Sequence, residues 1–164
     1  MIIEESGMVF DVPDDVCFRI EKSAVYNSIQ NRVQIAEFLW YRKNVILCVE
    51  AKPSTPHPAT QPRFDEFLLE IKDKLLNAFS LYIAMRLNRH PARSELPDTF
   101  ETLDLSVVNI QFVLIVNGYK KDWLPLLRES LFNTLYPTIK VWNFGSNPLI
   151  VLNDVMARDR GLIR

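Results

Sequence analysis

Glu37, Glu50 and Lys52 are of the types that metal-assisted hydrolysis uses. Glu50-Ala51-Lys52 closes the apolar run "VILCVEAK" (45–52) and leads into proline-rich sequence. In a strand, residues i and i+2 share a face, so Glu50 and Lys52 point the same way. Glu37 lies thirteen residues before Glu50, in "AEFLWYRKNVILCVEAK" (36–52). If 32–44 and 45–52 form a hairpin turning at "RKN", Glu37 falls directly across from Glu50. Facing carboxylates on neighbouring strands repel, at up to about 1 kcal/mol, and a cation removes that cost. Two carboxylates and the Ala51 carbonyl suit Mg²⁺ (or Mn²⁺), hard ions that prefer oxygen. A lysine beside the ion holds a phosphate oxygen or a nucleophilic water. The competing reading is a strand end with solvated charges, Glu37 pairing with Lys52 or Arg42. Glu70-Ile71-Lys72 repeats the acid-x-lysine pattern in an expected helix, facing no common site. The pattern therefore gains meaning only from the acid on the adjacent strand.

The elements that must position these residues read as follows. "VCFRIEKS" (16–23) is a short strand after the turn-like "VPDD". "RVQIAEFLWYRKN" (32–44) and "VILCVEAK" (45–52) pair as an antiparallel hairpin, the second being buried on both faces. Residues 53–62 hold four of the ten prolines and form a loop. Residues 63–90 form a long helix, with Phe64, Phe67, Leu68, Ile71, Leu75, Phe79, Tyr82 and Ile83 recurring at three- and four-residue steps. Residues 91–106 connect. A buried strand (107–118), an amphipathic helix (120–137) with Pro125 in its first turn, and short strands at 138–144 and 148–153 follow. A C-terminal helix is capped by Asn153 or Asp154 and stops at Gly161. Antiparallel strands followed by helical crossovers give an α/β (α+β) fold with a mixed central β-sheet flanked by helices. A chain of 164 residues fits a single domain, 1–164.

At this point the chain resembles the restriction-endonuclease-like PD-(D/E)XK nuclease superfamily. The likeness lies in an acid on one strand, a short turn, and an apolar strand ending in Glu-x-Lys. Glu37 stands where the superfamily usually has aspartate, Glu50 is the second acid and Lys52 the motif lysine. Ala36 replaces the usual proline before the first acid, and the usual N-terminal helix with a further glutamate is not evident; Glu4, Glu5 and Glu21 are loose substitutes. The resemblance implies a restriction-endonuclease-like core over roughly residues 16–152. It also implies Mg²⁺-dependent hydrolysis of nucleic-acid phosphodiesters, DNA over RNA, with Glu37, Glu50 and Ala51 holding the metal. The alternative is a catalytically silent nuclease-fold protein acting as a binding or assembly module, in which an exposed apolar helix face docks a homodimer mate or a protein partner.

Composition bounds the rest. Net charge is −1 at pI about 6.1, so no bulk basic field draws nucleic acid. Cys17 and Cys48, in separate apolar runs, suggest buried thiols in a reducing cytosol and a cytoplasmic protein. No signal-like or membrane-spanning run is expected. Four glycines leave no phosphate loop, and no Ser-His-Asp or Cys-His set assembles. His57 in the proline loop, the patch Arg86, Arg89, His90 and Arg93, and the cluster 157–164 are secondary candidates for phosphate contact. Trp40, Trp123 and Trp142 are assigned to core packing or an oligomer contact.

Overall fold

The computed structural model describes residues 1–90 and 95–164. Five strands form the central sheet: β3 (Cys17–Phe18), β4 (Phe38–Arg42), β5 (Val45–Lys52), β6 (Asn109–Val116) and β7 (Leu149–Asn153). They lie in chain order, the first three antiparallel and the last three parallel. The crossover from β5 to β6 carries α2 (Arg63–Arg86) and α3 (Asp98–Thr102), and that from β6 to β7 carries α4 (Leu124–Trp142). A short helix α1 (Ala24–Ile29) precedes β4, and α5 (Asp154–Asp159) follows β7. The expected mixed sheet flanked by helices is present.

The pleat sorts the core into two halves. Ile46, Cys48, Ile110, Phe112, Leu114, Leu149 and Val151 pack under α2 and α4. Leu47, Val49, Ala51, Val113, Ile115 and Leu152 face the other way. That second face is covered by a hairpin the sequence reading did not anticipate, β1 (Ile2–Glu5) and β2 (Met8–Asp11), together with α5 and the tail residues Leu162 and Ile163. The hairpin turns on Ser6 and Gly7, both at positive φ (54° and 75°). A Cβ on Gly7 would lie 2.8 Å from the Asn117 amide nitrogen, so glycine serves both the turn and the contact.

The β4–β5 register is the expected one: Arg42 pairs with Val45 and Phe38 with Val49. Its two-residue turn is Lys43-Asn44, both left-handed at φ 50° and 62°. Lysine gains nothing from that conformation, which costs a non-glycine residue about 1–2 kcal/mol. Lys43→Gly is therefore expected to raise stability by up to about 1 kcal/mol, read from the urea midpoint, after the added unfolded-state freedom of glycine is subtracted. A lowered midpoint would show that the turn is not strained.

Several elements differ from the sequence reading. Residues 138–144 are not a strand; α4 runs on to Trp142 because Leu127, Leu131, Leu135 and Ile139 continue one buried stripe across Pro137. Burial of that stripe outweighs the lost proline hydrogen bond and the β-branched residues. The long helix stops at Arg86, and Asn88 turns left-handed at φ 51°. Of residues 16–23 only Cys17 and Phe18 are strand; residues 20–22 form a 3₁₀ turn. Residues 32–37 precede β4 rather than extending it. The connector 91–106 lies partly outside the described residues and otherwise contains α3. Asn153 is the α5 cap, its side chain accepting from the Met156 amide. Both cysteines are buried, on opposite faces of the sheet. Among the described residues no helix is long and apolar enough to cross a membrane.

Candidate functional site

Glu50 follows the parity of Ile46 and Cys48, so its side chain turns towards α2 at the carboxyl end of β5. It is completely buried, at 0 % exposure. This overturns the picture of a solvated strand end. Burial of an ionised carboxylate requires compensation, and two lysines supply it. Lys74 Nζ lies 2.8 Å from Glu50 Oε1 and Lys52 Nζ lies 3.4 Å from the same oxygen. Glu50 Oε2 is buried with no hydrogen-bond partner. Desolvation pushes the Glu50 carboxyl up, and Lys74 and Lys52 oppose that shift.

Glu37 sits one residue before β4, with its amide donating to the Val49 carbonyl at 3.1 Å. It is 9 % exposed and, among the described residues, in no ion pair. Neither Lys52 nor Arg42 is its partner. Lys52 binds Glu70 at 2.5 Å, and Arg42 donates to the Arg160 and Gly161 carbonyls. Burial, then the charge of Glu50, then a hydrogen bond with Glu21 push the Glu37 carboxyl up to about 8. These influences all favour the protonated form of Glu37.

Two further acids converge on it. Glu5 ends β1 and Glu21 lies in the 3₁₀ turn of residues 20–22. One carboxylate oxygen from each of Glu5, Glu21 and Glu37 lies within 4.8 Å of the others, a set able to hold a metal ion. The Glu21 amide donates to the Glu37 carbonyl, which fixes the two acids side by side. Arg19 Nη2 pairs with Glu5 at 3.2 Å and neutralises one of the three. The turn at 20–22 thus supplies an acid where the resemblance led one to look for a helix.

Residues of α2 complete the charged cluster. Glu70 and Lys74 are four apart and share a helix face; that face meets the β5 end. Glu70 therefore does not point away from the site as its sequence pattern suggested, although Lys72 does, lying against Asp73. The Ala36 amide donates to the Lys74 carbonyl at 3.1 Å, which pins this turn of α2 beside Glu37. The Ala51 carbonyl accepts from the Ser6 hydroxyl at 3.0 Å, leaving one lone pair for a ligand. Glu5 and Glu21 entered the sequence analysis only as loose substitutes for a further glutamate, and Glu70 and Lys74 were not legible as site residues; only their i, i+4 spacing hinted that they act together.

The secondary candidates lie elsewhere or serve the fold. His57 is exposed, with its ring edge-on to Trp123 at 4.4 Å. Arg86 donates to the Tyr82 hydroxyl and to the Phe100 and Leu103 carbonyls, so it ties α2 to the segment around α3. Arg93 lies outside the described residues. In the C-terminal cluster Arg158 donates to the Arg164 carbonyl, and Arg164 pairs with Asp11. Trp40 is buried, Trp123 is half-buried, and Trp142 is half-exposed against Phe79.

Comparison of the chain with protein-family models, with curated proteins and with solved structures found no significant match.

Proposed function

We propose that this protein is a divalent-cation-dependent nuclease that hydrolyses phosphodiester bonds of nucleic acid, with Glu37, Glu50 and Lys52 at its centre. The observation that carries this reading is the fully buried Glu50, with one oxygen unpartnered and the Lys52 ammonium 3.4 Å from the other. The donor set fits a hard ion such as Mg²⁺ or Mn²⁺, since carboxylates and a carbonyl provide only oxygen. The sheet order, with a helix directly after the Glu-x-Lys strand, supports the likeness to the PD-(D/E)XK superfamily.

When bound, the ion would polarise the scissile phosphate and acidify a water. Glu37, Glu50 and the free lone pair of the Ala51 carbonyl would hold it. Lys52, steadied by Glu70, would orient the attacking water or neutralise charge developing on the phosphate oxygens. DNA is the favoured substrate over RNA.

Purified protein with Mg²⁺ or Mn²⁺ is expected to cleave single- or double-stranded DNA. Glu50→Ala should abolish cleavage, and Lys52→Ala should slow it by about a hundred- to a thousandfold, the usual loss when one stabilising donor is removed. Unchanged cleavage by either variant would falsify the assignment, and cleavage of RNA alone would reverse the substrate preference. A second reading is favoured by one observation: Lys74 and Lys52 already satisfy one oxygen of Glu50 from within. On that reading the protein is a silent nuclease-fold module that docks a partner. Mn²⁺ calorimetry separates the two, because a silent module gives no heat, or heat that Glu50→Ala leaves unchanged.

A further inference from the structure

Lys74 is a residue that no motif assigns, yet its contact with Glu50 is shorter than that of Lys52, 2.8 Å against 3.4 Å. Both ammonium groups sit on Oε1, while Oε2 is left without a partner. Lys52 has a second anchor, Glu70 at 2.5 Å; Lys74 makes its only ion pair among the described residues with Glu50. We infer that Lys74 is a tethered counter-ion that neutralises Glu50 through Oε1 while Oε2 stands open, and that it swings away from the carboxylate when a divalent cation loads the site. This rests on the reading that the site binds a divalent cation.

The physical argument is one of exclusion. A hard divalent ion binds a carboxylate oxygen at about 2.0–2.6 Å. With the ion on Glu50, an ammonium still 2.8 Å from Oε1 would face a double positive charge at close range in buried, poorly solvated surroundings, where repulsion is strong. Lysine is suited to yield, having a flexible four-carbon stem and a strongly hydrated head. The side chain of Lys74 retains 16 % exposure, a route to water that Glu50 lacks. Its backbone stays fixed, because its carbonyl holds the Ala36 amide. Departure is therefore a side-chain swing rather than a helix shift. Glu70, one turn earlier on the same helix face, offers the released ammonium a new counter-charge. An empty site is neutralised from within, and a loaded site exchanges that neutralisation for the ion.

The test is Mn²⁺ binding by calorimetry, and the rise in melting temperature with Mn²⁺, for wild type and Lys74→Met at one pH and salt concentration. Lys74→Met removes the competitor, and is expected to bind Mn²⁺ more tightly by about 5- to 150-fold, the usual range of coupling between two ligands of one site. Its melting temperature should start lower and rise further with Mn²⁺. If Lys74→Met does not fold without the ion, Lys74→Gln keeps a donor for Glu50 without the charge and should show the same direction. Binding by the variant where wild type shows none also supports the lock. Equal or weaker Mn²⁺ binding by the variants overturns it, while wild-type binding leaves the cation reading standing. No binding by any of the three removes the cation reading itself, and the lock with it.

Discussion

Glu50→Ala is expected to cost about 3 kcal/mol of stability, the low end of what removing one member of a buried ion pair costs. Two lysines lose the carboxylate that justified placing them there. They are 18 % and 16 % exposed on their side chains, so water relieves part of the penalty, which sets the low end. The truncation also leaves a small cavity, which adds to the loss. Glu50→Met combined with Lys74→Met replaces the pair by apolar chains of similar volume, and should recover most of the stability. Urea unfolding of Glu50→Met, Lys74→Met and the double variant gives the coupling directly. If Glu50→Ala unfolds at the wild-type midpoint, the buried pair does not exist in solution.

The second large effect belongs to Glu37. Its carboxyl is raised to about 8 in the folded chain, against an ordinary value of 4.5. Between these values the folded state holds a proton that the unfolded chain has released. The contribution of Glu37 to stability must therefore fall as pH rises through that window, and level off above about 8. Glu37→Gln cannot ionise. Its stability relative to wild type should be lowest near pH 4.5, improve with rising pH, and become constant above about 8. Thermal melts at a series of pH values check this; a stability difference that does not change with pH would sink the raised carboxyl. In the wild type a bound divalent cation should displace the proton, so Mn²⁺ affinity should rise with pH up to about 8. In Glu37→Gln that pH dependence, and most of the affinity, should vanish.

The hairpin was legible because its signals agree. An apolar run buried on both faces, a two-residue turn and a partly alternating partner strand fix one register, and with it the relation of Glu37 to Glu50. Less visible was what surrounds that pair. "IIEE-SG-MVFD" is two short β runs about a Ser-Gly turn, a signal that would have revealed β1 and β2 and placed Glu5 at the end of a strand. Glu21 could not be placed from sequence, because a 3₁₀ turn has no periodicity strong enough to read. Lys74 was hidden for a different reason. An amphipathic pattern identifies which helix face is buried, but not that a polar residue at its margin reaches a charge on a strand 24 residues away. The stretch 138–144 misled through local propensity, which yields to a buried stripe four residues in step.

β6 is enclosed on both sides, with Phe112 to Val116 fully buried, and it pairs with β5 along all of β5's length. Glu50 and Lys52 are therefore carried by the part of the chain whose amide hydrogens should exchange only on global unfolding. Glu5 and Glu21 come from a four-residue strand of a separate two-stranded sheet and from a three-residue turn, which belong to the less protected end of the range. The acid cluster is thus assembled across units of unequal opening free energy. Local opening of the hairpin would scatter the carboxylates while the sheet stays intact, so the cluster is lost on heating before the fold is.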